Sequence, residues 1–211
     1  MRLLVSLTFF QLSILSFGQT PAKPVTFDFD SLIKAKANQI GKPFPQTPAK
    51  TVTIDWDSLM KAKANQILGK AFPHFVAANE KGKISNDSLM GKVVLINFWF
   101  EGCQPCIAEF DALNELAQQL TENKNFEFIS FTWDNTETVT RVKEKYKFQF
   151  QVFQTSAKEC RRLNQDSGYP TTIILDKQGI IKYWDMGGYS DPARAKEFVM
   201  TTLLRKIQQE L

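Results

Sequence analysis

Cysteine and histidine are scarce in this sequence, which has three cysteines and one histidine among 211 residues. Small folds stapled by disulfides are much richer in cysteine, so we expect an apolar core to hold this chain together. Eighteen phenylalanines supply bulky side chains for that core. A structural zinc site needs four ligands, usually in two closely spaced pairs. Because only one such pair is present, the sequence disfavours a metal site, and we expect no bound metal or other cofactor.

A cluster of charges of one sign is also missing, although the net charge is +4. The basic residues are scattered, and in the run 143–147 lysines alternate with glutamate and tyrosine, as on a solvated helix face. A nucleic-acid-binding surface needs basic side chains gathered on one face. The charge pattern therefore argues against a nucleic-acid partner.

Long hydrophobic runs are absent except for a short one at the N terminus. Arg2 precedes a mostly apolar stretch over residues 3–17, and the small residues Ser16 and Gly18 indicate a cleavage position before Gln19. We therefore interpret residues 1–18 as a signal peptide and expect export to the periplasm or cell envelope. The stretch is short for a bilayer span of about 20 residues, and an uncleaved membrane anchor is the alternative.

A nearly identical repeat follows this leader. Residues 21–40 match residues 48–67 at 16 of 20 positions, and each copy continues into a Gly-Lys-x-Phe-Pro segment, so the repeats cover 21–45 and 48–73. Asp30 in the first copy and Asp57 in the second are placed to cap a short helix. Two copies are too few for a solenoid, which needs about three. We interpret residues 19–67 as a duplicated leader that is flexible or loosely docked, with a docking arm for a partner as the alternative.

The pattern of a packed α/β domain covers residues 69–211. Residues 92–98 form a short continuous apolar run, as in a central strand buried on both faces. Apolar residues then recur at helical spacing from Ile107 to Leu120. Further strands are predicted at 126–132, 171–176 and 180–184, and helices at 136–147, 156–165 and after Pro192. This order indicates an α/β fold with a mixed central sheet flanked by helices.

The motif Cys103-Gln104-Pro105-Cys106 lies between the central strand and the next helix. Cys103 therefore falls at the helix start, where unpaired backbone N–H groups and the helix dipole lower the pKa of a thiol. The thiolate is the nucleophile of disulfide exchange, and Cys106 lies one helical turn further on. Pro105 is tolerated there because first-turn N–H groups have no helical partner. We predict that Cys103 attacks and Cys106 resolves, with a buried inert pair as the alternative.

Glu109 follows Cys106 by three residues, on the same helical face and in an otherwise apolar stretch. One interpretation is a solvated carboxylate that is favourable near the helix N terminus. The other is an inward carboxyl group, whose pKa desolvation would raise so that it moves the Cys106 proton during exchange. The spacing alone leaves both interpretations open.

Four motifs occur in a specific order along the domain: GKAFPHF at 69–75, GKVVLINFW at 91–99, CQPC at 103–106 with Glu109, and GYPTT at 168–172. On these motifs, residues 69–211 resemble the thioredoxin-like family of extracytoplasmic reductases typified by TlpA and ResA, within the redoxin (AhpC/TSA-like) group. The resemblance implies a thioredoxin fold with an N-terminal extension and a βαβ insertion. It also implies a thiol–disulfide oxidoreductase.

The resemblance assigns roles to single residues as well. Pro170 is expected to be cis and to lie against the cysteines, where the backbone of Tyr169 pairs with the substrate chain. By position, Glu109 matches the active-site glutamate of the family, which favours the functional interpretation of this residue. The other residues expected to contact substrate are Trp99, Gln104 and Pro105.

Several positions depart from the family pattern. Gly102 stands where thioredoxins often carry tryptophan, which reduces the apolar surface expected beside Cys103. The peroxidase branch of the redoxin group has proline and threonine seven and three residues before its reactive cysteine. Ile96 and Phe100 occupy those positions here, so peroxide reduction is disfavoured. Cys160 is expected to be a small buried side chain, with a regulatory thiol as the alternative.

These observations predict an exported, monomeric enzyme that reduces protein disulfides in the cell envelope. Its partners would be protein thiols and disulfides together with an upstream envelope electron donor. A disulfide donor of the same fold and a non-catalytic thioredoxin-fold binding module remain as alternative functions.

Overall fold

A computed structural model describes residues 25–26 and 53–211 of the chain. The chain divides into two units, residues 1–56 and 57–211. The first contains an antiparallel pair of short strands, β1 (Val25–Thr26) and β2 (Thr53–Ile54). The predicted signal peptide and most of the duplicated leader lie outside the described residues.

From residue 56 onward, strands and helices alternate before a final hairpin and helix. In chain order the elements are α1 (Trp56–Ile67), β3 (Val76–Asn79), β4 (Gly82–Ser85), α2 (Asn86–Leu89), β5 (Val93–Phe98), α3 (Gln104–Gln119), β6 (Phe126–Thr132), α4 (Thr136–Tyr146), β7 (Gln151–Gln154), α5 (Ala157–Leu163), β8 (Thr171–Leu175), β9 (Ile181–Met186), α6 (Pro192–Glu197), a π-helical segment (Phe198–Leu203) and α7 (Leu204–Glu210). No helix within the described part of the chain has the length and apolar character needed to cross a membrane.

Five strands form one mixed sheet in the order β7-β6-β5-β8-β9. β5 runs parallel to β6 and antiparallel to β8, while β9 is antiparallel to β8. Every residue of β5 is buried because a strand lies on each side of it and apolar side chains cover both faces. One face packs against α3 and the C-terminal helical segments, and the other against α1 and α5. The predicted mixed sheet is therefore present.

The helical part of the second repeat copy, α1, is packed against the domain. Ile67, at the end of α1, is 3% exposed, and Met60 and Ala64 contact the same core. The following segment adds backbone hydrogen bonds, from Gly69 N–H to the Ile181 carbonyl at 2.9 Å and from Phe72 N–H to Gly179 at 3.0 Å. The apolar face of α1 and the extended segment after it thus cover one face of the sheet.

The structure also has short elements that the residue pattern did not predict. Strands β3, β4 and β7 have only four residues each, which is too short for an apolar run or an alternation to identify a strand. β7 nevertheless extends the sheet, since it pairs in parallel with β6. Such short strands depend on tertiary pairing rather than on their own pattern.

Replacement of Ile67 by alanine tests whether α1 belongs to the folded domain. We expect Ile67→Ala to lower the free energy of unfolding by about 2–5 kcal/mol, because the substitution leaves a cavity beneath α1. Leu59→Ala is the matched control on the same helix; Leu59 is 50% exposed, and its loss should cost no more than about 0.5 kcal/mol. Urea unfolding followed by tryptophan fluorescence measures both. Equal effects of the two substitutions would show that α1 does not contribute to the core.

Candidate active site

Cys103 and Cys106 lie where the chain passes from β5 into α3. Cys103 is the N-cap residue of α3, with an extended backbone conformation. Its Sγ accepts a hydrogen bond from the Cys106 N–H at 3.3 Å, and the two sulfurs are joined in a disulfide. A first-turn N–H group without a helical acceptor is therefore directed at the sulfur that would carry negative charge after reduction.

The two cysteines differ slightly in their exposure. Cys103, at the N terminus of α3, is 5% exposed and Cys106 is 1% exposed, and both belong to the core beneath α3. Gln104 is exposed and Pro105 is half-buried, so the two intervening residues form the outer rim of the pair. Cys103 is thus the more accessible sulfur of the pair.

The peptide bond between Tyr169 and Pro170 is cis, as the resemblance implied. It immediately precedes β8, whose first residue, Thr171, lies opposite Phe98 at the end of β5. Because β5 leads directly into the Cys103 turn, the cis-proline loop and the cysteines lie at the same edge of the sheet.

The side chains of Pro170 and Glu109 both lie against the backbone of Gly188. Gly187 N–H donates a hydrogen bond to the Pro170 carbonyl at 2.8 Å. A Cβ atom on Gly188 would lie 2.9 Å from Pro170 Cγ and 2.6 Å from Glu109 Oε1. Since side-chain carbons do not approach other atoms so closely, only glycine fits here without displacing its neighbours. The sequence analysis did not identify Gly188, and the Gly-Gly pair at 187–188 is the signal that could have done so.

Three half-buried aromatic rings, called here the aromatic group, surround this edge of the sheet: Phe100, Trp133 and Tyr169. Phe100 stacks on Trp133 with ring centroids 4.8 Å apart, and Tyr169 meets both edge-on at 5.5 and 4.5 Å. The Phe100 ring also lies 3.1 Å from the place where a Cβ on Gly102 would be. Apolar surface beside Cys103 is thus supplied by these rings, although Gly102 itself has no side chain.

Trp99 does not lie at this surface. It is fully buried, its Nε1–H donates to Ser130 Oγ at 3.2 Å, and its ring meets Phe110 and Phe148 edge-on. Its packing makes Trp99 part of the core beneath α3, and it presents no surface to a substrate. A direct contact between Trp99 and a substrate, as expected from the sequence, does not fit this position.

Glu109 points inward from α3 and is 1% exposed. Neither of its carboxyl oxygens has a hydrogen-bond partner. Desolvation raises the pKa of Glu109 to about 8, and the negative charge of Asp185 raises it further in the same direction. Of the two interpretations left open by the spacing, the structure shows the inward one. Glu109 is neutral at pH 7 in this oxidised form.

Asp185, on β9, was not identified from the sequence. It is half-buried, and desolvation raises its pKa to about 6, although a hydrogen bond from Met186 N–H opposes the shift. Tyr183 lies near both carboxyl groups, since desolvation and then the charges of Asp185 and Glu109 raise its pKa. An aspartate two residues after an inward-facing tyrosine in a strand is the signal that could have found it.

Cys160 and His74 lie apart from this site. Cys160 is fully buried on the opposite face of the sheet from the Cys103–Cys106 pair, and desolvation raises the pKa of its thiol to about 12. Its position is that of the small buried side chain expected from the sequence. His74 is exposed. Over the described residues, no three histidine, cysteine or acidic side chains are grouped so as to hold a metal ion.

Comparison with known proteins gives one family and several relatives. Residues 68–184 match the sequence profile of the AhpC/TSA family. The chain is 33% identical over 114 residues to the thiol-disulfide oxidoreductase ResA of Bacillus cereus, across 53% of this chain and 65% of that protein. It is 29% identical over 120 residues to the thioredoxin-like protein YneN of Bacillus subtilis, across 54% and 68%. The match thus covers less than two thirds of the ResA relative.

Solved structures share the architecture. A thiol-disulfide oxidoreductase from Bacteroides fragilis superposes with a TM-score of 0.51 at 27% identity, covering 61% of this chain and 99% of that one. A thiol:disulfide interchange protein of the thioredoxin family from Chlorobium tepidum gives 0.54 at 19% identity, covering 67% and 96%. The predicted thioredoxin-like fold is confirmed.

Replacement of Glu109 by glutamine should flatten the pH dependence of stability between pH 6 and 8. In the unfolded chain Glu109 is ionised above its ordinary pKa of 4.5, whereas in the fold it keeps its proton up to about pH 8. The folded state therefore binds the extra proton in this window, and its stability falls as pH rises, by at most about 1.4 kcal/mol per pH unit. Glu109→Gln removes this contribution. Urea unfolding of the oxidised protein at pH 6, 7 and 8 measures the difference.

The matched control is Asp111→Asn, which removes an exposed carboxylate from the same helix. Its stability should follow the parent protein across the pH range. Parallel curves for Glu109→Gln and the parent would show that Glu109 is not protonated in the fold.

Proposed function

The chain belongs to the AhpC/TSA family, and we propose that it is a thiol–disulfide oxidoreductase that reduces protein disulfides in the cell envelope. The observation that supports this most directly is the Cys103–Cys106 disulfide at the N terminus of α3, at the same sheet edge as a cis-proline. The pair alternates between dithiol and disulfide, and the helix terminus favours the thiolate that starts the exchange.

The first step is attack by Cys103. In the reduced protein, its thiolate forms a bond to one sulfur of the target disulfide, the target S–S bond breaks, and the other target sulfur leaves as a thiolate. The first-turn N–H groups of α3 stabilise the Cys103 thiolate beforehand. Cys103 performs this step because it is the more exposed of the two cysteines and lies at the helix end.

The second step is resolution by Cys106. Once Glu109 has lost its own proton, the Cys106 thiol gives its proton to the Glu109 carboxylate, and the Cys106 thiolate then attacks Cys103 Sγ. The Cys103–Cys106 bond forms again, and the second target sulfur leaves as a thiolate, so the target gains the two electrons that the pair loses. Glu109 suits this role because it lies one helical turn after Cys106 and its oxygens have no other hydrogen-bond partner.

The target chain is held beside the cysteines. We propose that its backbone pairs with the backbone of Tyr169 ahead of the cis-proline, as an added strand. Gln104 and Pro105 contact it from the outer rim, and the aromatic group offers an apolar surface next to Cys103. We expect the enzyme to act as a monomer.

The proposed location of the protein and the proposed direction of electron flow both rest on the sequence. The signal-like segment 1–18 supports export, and an upstream thiol donor in the envelope would return the pair to the dithiol form. Disulfide donation would use the same atoms in reverse, and a non-catalytic binding module would use the same surface without exchange. Peroxide reduction is not supported, because Ile96 and Phe100 replace the proline and threonine of the peroxidase branch.

Substitution of the cysteines separates an enzyme from a binding module. Cys103→Ser is expected to abolish the reduction of insulin disulfides by dithiothreitol that the protein catalyses, because the serine hydroxyl does not attack disulfides. Cys106→Ser should still attack and then accumulate mixed disulfides on Cys103, visible as thiol-sensitive adducts on non-reducing gels. Cys160→Ala is the control and should retain turnover, since Cys160 lies on the other face of the sheet. Unchanged turnover in Cys103→Ser would contradict the proposed function.

The midpoint potential of the pair separates a reductase from a disulfide donor. We expect the Cys103–Cys106 couple to equilibrate with glutathione or dithiothreitol at a potential below about −200 mV, as reducing thioredoxin-fold proteins do. A redox titration read out by thiol alkylation gives this value. A potential near about −120 mV, as in periplasmic oxidases, would reverse the proposed direction of electron flow.

A further inference from the structure

A row of polar side chains crosses the sheet near the active-site helix. Asn97 on β5 lies opposite Thr172 on β8, and Thr172 lies opposite Asp185 on β9. Directly opposed residues of antiparallel strands place their side chains on the same face. The hydrogen bond from Asn97 Nδ2 to Thr172 Oγ1, at 3.2 Å, bears this out for the first two.

This row lies on the face that packs against α3. The adjacent row, two residues along each strand, consists of Leu95, Ile174 and Tyr183, which all contact the core beneath α3. Because side chains two residues apart in a strand share a face, Asp185 lies on the same side of the sheet as Glu109.

Asp185 differs from Glu109 in its access to solvent. Glu109 is 1% exposed and Gly188 lies directly against its Oε1, whereas Asp185 is half-buried. The two carboxyl groups interact electrostatically, since the charge of Asp185 raises the pKa of Glu109. The other titratable groups around the pair are the Tyr183 and Tyr189 hydroxyls and the Cys106 thiol, and none of these accepts a proton at neutral pH as readily as a carboxylate.

We propose that Asp185 is the proton exit of the active site, taking from Glu109 the proton that Glu109 must lose before it accepts the one from Cys106, and passing it to solvent. The inference rests on the proposed function. The Glu109 O–H first gives its proton to the Asp185 carboxylate, Asp185 gives that proton to water, and the Cys106 S–H then gives its proton to the Glu109 carboxylate. One proton leaves the protein for each resolving step, and no electrons move along this route. Asp185 acts through Glu109 and is therefore a positioning residue.

The need for an exit follows from the state of Glu109. With a pKa of about 8, Glu109 holds a proton at pH 7 and must lose it before it accepts another. Asp185, with a pKa of about 6, is ionised at pH 7 and can accept that proton, and because it is the weaker base of the two it releases the proton again to water. Transfer to Asp185 also brings the proton to a position with solvent access.

The test uses a chromogenic disulfide, 5,5′-dithiobis(2-nitrobenzoate), mixed with the reduced full-length protein in a stopped-flow instrument. Attack by Cys103 releases the first coloured thiolate, and resolution by Cys106 releases the second, so the two steps appear as separate phases. We expect Asp185→Asn to slow the second phase about tenfold at pH 7 and to leave the first unchanged. Asp185→Glu should restore most of the rate, and the exposed control Asp111→Asn should behave as the parent.

Two further measurements exclude a merely structural effect. Small bases such as imidazole or formate should accelerate the second phase in Asp185→Asn, because they replace the missing proton acceptor. Asp185→Asn combined with Glu109→Gln should be no slower than Glu109→Gln alone, since Asp185 acts through Glu109.

The outcomes distinguish this inference from the proposed function. A normal second phase in Asp185→Asn, a defect that added bases do not relieve, or additive effects in the double variant would each overturn the role of Asp185 and leave the proposed function intact. Failure of the parent protein to release the coloured thiolate would overturn both.

Discussion

The pairing of β5 with a neighbour on each side positions the whole site. All six residues of β5 are buried, so the strand lies in the middle of the sheet and its register with β6 and β8 is set on both edges. The ends of β5 and β6 and the start of β8 consequently meet at one edge. The residues that follow or precede these strand ends, Phe100, Trp133 and Tyr169, converge there beside Cys103. A cysteine placed at the N terminus of α3 is thereby set against an apolar surface and a cis-proline.

Burial of Glu109 without a hydrogen-bond partner raises the pKa of its carboxyl group at this edge of the sheet. A carboxylate deprived of water and of donors is costly, so the group keeps its proton to about pH 8. The same desolvation acts more weakly on Asp185, whose pKa is about 6. Two carboxyl groups whose pKa values lie on either side of neutral pH are suited to exchange protons there. Burial of Glu109 and Asp185 costs stability, and it leaves two carboxyl groups whose pKa values lie near neutral pH.

The local residue pattern was sufficient to predict some strands and helices and insufficient to predict others. The strand at Val93–Phe98 and the helix after Cys103 follow from a continuous apolar run and from helical spacing, which neighbouring residues decide. The strands at Val76–Asn79 and Gln151–Gln154 have no such signal, because their pairing partners stabilise them. Trp99 was expected to contact substrate, yet its ring packs in the core beneath α3.

The cysteine pair and the class of fold could be read from the sequence alone, because spacing, periodicity and helix-end chemistry are local properties. Only the tertiary structure decided that Glu109 points inward and that Gly188 leaves room for it. It likewise brought Asp185, from the far hairpin, to the same face of the sheet. The physical reason is that burial and charge–charge interaction depend on which strands lie side by side, and strand order is set by the packing of the whole chain.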